Sequence, residues 1–249
     1  MKLGKTPARP NAVTFKLARY IDTSVLPTPP AEFGHENLVP AQSWGMLGND
    51  AHGDCVWAGA AHETMLWNLE RDKTITFDPE QVLSDYSAVT GFDPDKPDTD
   101  QGTDMEAAAA YRRKTGVIDA AGKRHKVAAY LAITPGDVQE HLLALYVFGV
   151  VGLGVEFPGS AMDQFNAGKP WDVVPGSKVE GGHYIPLVAK RDNLEIVTWG
   201  RIQEMTPAFL EKYNDESVVY ISREMLTSGK SPEGFDLAQL KADLAALKD

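Results

Sequence analysis

Residues 48–71 read GNDAHGDCVWAGAAHETMLWNLER, and this stretch decides the fold. From Cys55 to Arg71 there is no proline and only one glycine, Gly59. Small and large apolar residues fall on every side of the helical wheel, which predicts a buried central helix. The preceding Gly-Asn-Asp and Gly-Asp are turn chemistry. Cys55 therefore opens the helix, where the positive end of the dipole favours the thiolate, the reactive form of a thiol. Gly53 allows close backbone approach just before it. Asn49, six residues upstream, carries an amide that can hold an oxyanion together with the Cys55 N–H, and it also reads as a plain turn residue. Asp54 either caps the helix or, as a carboxylate beside the thiol, raises its pKa. A lone cysteine is a buried small residue, an incidental thiol or a nucleophile.

Working outward, residues 1–43 carry prolines at 7, 10, 27, 29, 30 and 40 and little periodicity, as expected of an extended arm packed across the body. Residues 79–90 form an amphipathic helix begun by Pro79, and 93–102 read as an acidic, solvated loop. Thr103-Asp-Met-Glu106 forms a capping box, with Gly116 as the stop. The second half reads differently. Strands are expected over 126–133, 150–157, 183–189, 194–199 and 217–222. A helix opens at Thr134-Pro135 and ends at Gly149, Lys190 to Asn193 make a hairpin turn, and Thr206-Pro207 caps a short helix. Helices first and an antiparallel sheet later indicate an α+β fold.

A base is offered by His183, which follows Gly181 and Gly182 at the start of a strand, 128 residues beyond Cys55. Alternatively it is a core histidine. At these residues the chain resembles the papain-like cysteine peptidases. The family's oxyanion Gln, six residues before the Cys, is matched by Asn49, its Gly-x-Cys by Gly53-Asp54-Cys55, its Gly/Asn-His by Gly182-His183, and its Ser-Trp-Gly by Thr198-Trp199-Gly200. The resemblance covers about residues 44–222 and implies a helical N-terminal lobe, a β-rich C-terminal lobe and a cleft between them. It implies Cys55 as nucleophile, His183 as base, Asn49 as oxyanion donor and Trp199 as a shield over the histidine. The family's histidine-orienting Asn falls at Val197, which accepts no hydrogen bond, so a dyad or a third residue from elsewhere, such as Thr198 or Asp192, is implied. The arm is shorter than the family's usual autoinhibitory pro-domain.

The expected organisation is an arm (1–43), a catalytic domain (44–230) and a C-terminal amphipathic helix (231–249). Leu237, Leu240, Leu244 and Leu247 form a leucine seam, which docks on its own domain or makes a homodimer. A net charge of −11 argues against a broad nucleic-acid or anionic-membrane surface. Residues 1–20 lack the apolar core of a secretory signal, so a cytoplasmic location is the default, with secretion by another route or packaging in a virion left open. One cysteine permits no intrachain disulfide, and His52, Asp54 and Cys55 do not make a zinc set. The expected activity is hydrolysis of a peptide or isopeptide amide in a peptide or protein substrate, through a thioester and without a cofactor. The alternatives are a catalytically silent binding or structural protein, and a thiol acyltransferase or amidase.

Overall fold

The computed structural model describes residues 1–19 and 28–223. The expected C-terminal helix, with Leu237, Leu240, Leu244 and Leu247, lies outside the described residues. The helices are α1 (Cys55–Leu69), α2 (Pro79–Thr90), α3 (Met105–Lys114), α4 (Val138–Phe148), α5 (Gly159–Asn166) and α6 (Pro207–Tyr213). The strands are β1 (Phe33–Gly34), β2 (Val117–Ile118), β3 (Arg124–His125), β4 (Val127–Ile133), β5 (Val151–Pro158), β6 (Val179–Lys190), β7 (Leu194–Thr198), β8 (Arg201–Met205) and β9 (Asn214–Ser222). No helix among the described residues is long and apolar enough to cross a membrane.

The main sheet runs β4-β9-β5-β6-β7-β8, with β1 added beside β6, and its named pairings are antiparallel. Side chains alternate across a strand, and β6 uses this to serve two cores. Ile185 and Leu187 face a core shared with α4, α5 and α6, whereas Tyr184 and Val188 face one shared with α1, α2 and α3. The molecule is thus a helical lobe and a β-rich lobe meeting along the sheet. Every residue of α1 from Cys55 to Asn68 is buried. Gly59 sets its approach to β6, because a Cβ there would lie 2.6 Å from the Tyr184 ring. Beneath this contact sits a buried polar cluster. Tyr184 donates its hydroxyl to Glu63, and Glu63 pairs with Arg112 at 2.6 Å.

Several local expectations change. The cap of α3 is Asp104, which accepts the Ala107 N–H, because the Thr103 hydroxyl accepts from Trp57 Nε1 instead. Helix α4 is capped by Asp137, three residues later than Thr134, since the side chain of Asp137 holds the Glu140 N–H. Asp54 sits before α1 but makes no capping bond, and its buried oxygens have no hydrogen-bond partner among the described residues. Asp100 ends the acidic loop yet turns inward, accepting the Gly53 N–H and the Tyr86 hydroxyl. The sequence pattern did not reveal β8 or α5.

Candidate active site

Cys55 is the first residue of α1, so its sulfur lies where the helix leaves N–H groups unpaired. The sulfur also meets β6. The Tyr184 backbone N–H donates to Cys55 Sγ at 3.4 Å, so the thiol rests against the peptide that joins His183 to Tyr184. Residues 129 positions apart in sequence are thereby joined, the head of α1 to strand β6. The imidazole of His183 has two different nitrogens. Nε2 is 2.8 Å from Thr198 Oγ1, and Nδ1 is buried with no hydrogen-bond partner among the described residues.

Trp199 covers the ring. The two planes stack with centroids 4.5 Å apart and 18° between them, and Phe157 and Trp171 pack edge-on or tilted around the histidine. Trp199 and Gly200 form the two-residue turn between β7 and β8, both with positive φ, as a type I′ hairpin requires. Glycine takes this readily. A tryptophan at φ +44° is strained, and such strain concentrates where structure is held for function.

Asn49 lies against the arm, where its carbonyl accepts the Lys2 N–H. Its side-chain Nδ2 is bonded to the His52 carbonyl at 3.0 Å, so the amide braces the loop before Cys55. Asp192, the other candidate partner for His183, lies on the β6–β7 turn, where its carbonyl accepts from Lys190. It is Thr198 that reaches the ring. Sequence reasoning could have ranked Thr198 higher, because it is the hydroxyl adjoining the shielding tryptophan.

The arm fills the slot between the lobes. Gly4 and Lys5 both donate their N–H to the Gly182 carbonyl, Thr103 N–H donates to Gly4 O at 2.7 Å, and Thr6 N–H to Thr103 O at 3.0 Å. Trp199 Nε1 donates to the Lys2 carbonyl. The slot is walled by glycines because nothing larger fits. A Cβ on Gly53 would come 3.3 Å from Gly4 Cα, and one on Gly182 would come 2.3 Å from Lys5 O. Short as it is, the arm therefore lies over the thiol. The Gly4 backbone also lies near the sulfur.

Burial sets the electrostatics. It pushes the Cys55 thiol up to about 12, and nearby Asp54 adds to this against the Tyr184 and Gly4 N–H groups and Lys5. Burial also drives the His183 imidazole down to about 3 and holds the Asp54 carboxyl well above the usual carboxylate range. With the arm in place, thiol and imidazole are both neutral near pH 7.

No protein-family model matches the sequence, and no curated protein is found as a relative. Solved structures do match. Xylellain, a cysteine protease from Xylella fastidiosa, superposes with a TM-score of 0.66 at 15% identity, over 88% of this chain and 95% of that one. Procathepsin B S9 from Trypanosoma congolense gives 0.63 at 10% identity, over 88% and 86%. Procathepsin L 3 from the larval midgut of Tenebrio molitor gives 0.57 at 11%, over 81% and 72%. The fold is papain-like.

Proposed function

We propose that the chain is a cysteine-dependent hydrolase that opens a peptide or isopeptide amide through a thioester on Cys55. The observation that carries this reading is the contact of the Cys55 sulfur with the His183–Tyr184 peptide, together with an imidazole whose Nε2 is held and whose Nδ1 has no partner among the described residues. With its proton on Nε2 and donated to Thr198, the ring keeps Nδ1 as a base. Nδ1 takes the thiol proton as sulfur attacks the carbonyl carbon. The same proton then passes to the leaving amine, and a water activated by Nδ1 releases the acid and frees the thiol. The Cys55 N–H at the head of α1 faces the developing oxyanion.

The arm makes the present state a resting one. Departure of residues 2–6 returns water to the slot and removes the burial that holds thiol and imidazole neutral. The relatives in fold include pro-forms by their descriptions. They support a closed state but do not define this chain's substrate.

A silent binding protein is the second reading, favoured by the engagement of the Asn49 amide with the His52 carbonyl, which leaves one fewer donor for an oxyanion. The test is hydrolysis of a mixed fluorogenic peptide pool by the full chain carrying Lys5→Ala, with and without Cys55→Ser. Thiol-dependent turnover with an acyl adduct on Cys55 supports the hydrolase. Capture of the acyl group by added amine in preference to water moves the reading to a transferase. Equal signals with and without Cys55 favour the silent protein.

A further inference from the structure

We infer that residues 237–247 dock, as a helix of this same chain, into an apolar groove between α4 and the arm. The groove shares no lining residue with the Cys55 site, so the inference stands apart from the proposed chemistry. It measures about 620 Å³, and its apolar walls are Leu17, Pro29, Pro30 and Phe33 of the arm and Leu142 and Leu143 of α4. Leu142 and Leu143 are only half-buried, whereas the next two residues of α4, Ala144 and Leu145, belong to the core. Contiguous apolar surface of this kind marks an interaction site.

The described residues end close to the groove. Gly152 of β5 pairs with Val218 of β9 on one side and Pro186 of β6 on the other, so β9 and β6 run on to the same end of the sheet. Strand β9 reaches that end at Ser222, and β6 reaches it at Lys190, which lines the groove. With β5 between them, the two strands lie about 10 Å apart in the hydrogen-bonding direction. Residues 224–236 span up to about 43 Å when extended, more than enough to carry Leu237 into the groove. On a helix, Leu237, Leu240, Leu244 and Leu247 make a single apolar face. The groove also carries both signs of charge, Asp137 and Glu140 at the head of α4 and Lys190 at the end of β6. The segment answers with Lys241 and Lys248 on the one hand and Asp243 and Asp249 on the other. Its own chain is the occupant because the tether supplies a millimolar effective concentration, where a separate copy would have to bury about 1,000 Å² or more for a specific contact.

The test is a cysteine-pair scan in the full chain carrying Cys55→Ser, which has no native thiol. Leu143→Cys is combined with Leu240→Cys or Leu244→Cys and, in control chains, with Ala238→Cys or Ala242→Cys from the opposite side of the proposed helix. Oxidation at micromolar protein is followed by intact mass and peptide mapping. A disulfide within one chain should form at least about tenfold faster at the leucine positions than at the alanine positions, because only the former bring the two Cα atoms within bonding reach. In the otherwise unaltered chain, Leu142→Asp should speed amide hydrogen exchange over residues 237–247 at least about tenfold and leave α1 unchanged. Equal rates at leucine and alanine positions, disulfides that join two copies, or exchange over 237–247 that Leu142→Asp does not move would overturn the inference. Should exchange in α1 rise as well, the cysteine scan decides alone.

Discussion

At the scale of single residues, the account turns on one hydroxyl. Thr198 Oγ1 is the group that holds His183 Nε2, and under the proposed mechanism it would stabilise the imidazolium formed when the thiol gives up its proton. Thr198→Val should lower kcat/KM about 10- to 100-fold, the value of a hydrogen bond to a charged group, while Thr198→Ser retains most of the rate. The readout specific to positioning is the acid limb of the pH–rate profile, which Thr198→Val shifts and a merely destabilising change does not. That Cys55 opens a helix was legible from sequence as a local pattern, whereas His183 lies inside β6, which begins at Val179 and not at the histidine. The Thr198 contact was less legible. The position at which the resemblance places an orienting side chain is Val197, which points into the helical-lobe core, and alternation along β7 puts its neighbour on the histidine side.

At the scale of elements, the arm and helix α1 make opposite demands. The arm is held through Lys5, whose loss leaves Asp215 and Glu216 facing one another. Lys5→Ala should speed alkylation of Cys55 by iodoacetamide at pH 7.5, and Lys5→Arg should not. Unchanged labelling in Lys5→Ala would mean that the arm does not guard the thiol. Helix α1 is held by close approach, so Gly59→Ala should cost about 1–3 kcal/mol by forcing the Tyr184 ring aside, measured as a lower urea midpoint. The helix itself was plain in the sequence from its uninterrupted apolar surface. The seating of the arm was not, because residues 2–6 carry no alternating pattern, and their pairing depends on Gly53, Thr103 and Gly182, which only the fold brings together. Nor was the inward turn of Asp100, whose partners are a backbone N–H and a distant tyrosine.

At the scale of the whole molecule, two lobes are locked by groups that fold neutral or paired. His62 donates through Nε2 to the carbonyls of Trp44 and Gly45, and burial lowers its pKa to about 4. A histidine depressed in the folded state contributes stability that is complete above its unfolded pKa of about 6.5 and is lost as pH falls toward 4. Stability should therefore drop across that window. His62→Gln, which lacks the titrating ring, should reduce the slope relative to the parent by up to about 1.4 kcal/mol per pH unit, as read from urea midpoints at pH 7.5, 6 and 5. The buried Glu63–Arg112 pair beneath Tyr184 ties α1, α3 and β6 together. Arg112→Met alone would strand a carboxylate and should cost about 3–5 kcal/mol. These contacts fix α1 against β6, and the central claim of the proposed function is that the Cys55 sulfur and the His183 ring act together. Its most direct test is the pH profile of Cys55 carboxamidomethylation in the full chain with Lys5→Ala, followed by mass spectrometry of the Cys55 peptide between pH 4 and 9. The account predicts labelling well below the ordinary thiol pKa of about 8.5, abolished in that range by adding His183→Ala. A single rise near or above pH 8.5, identical with and without His183, would contradict it.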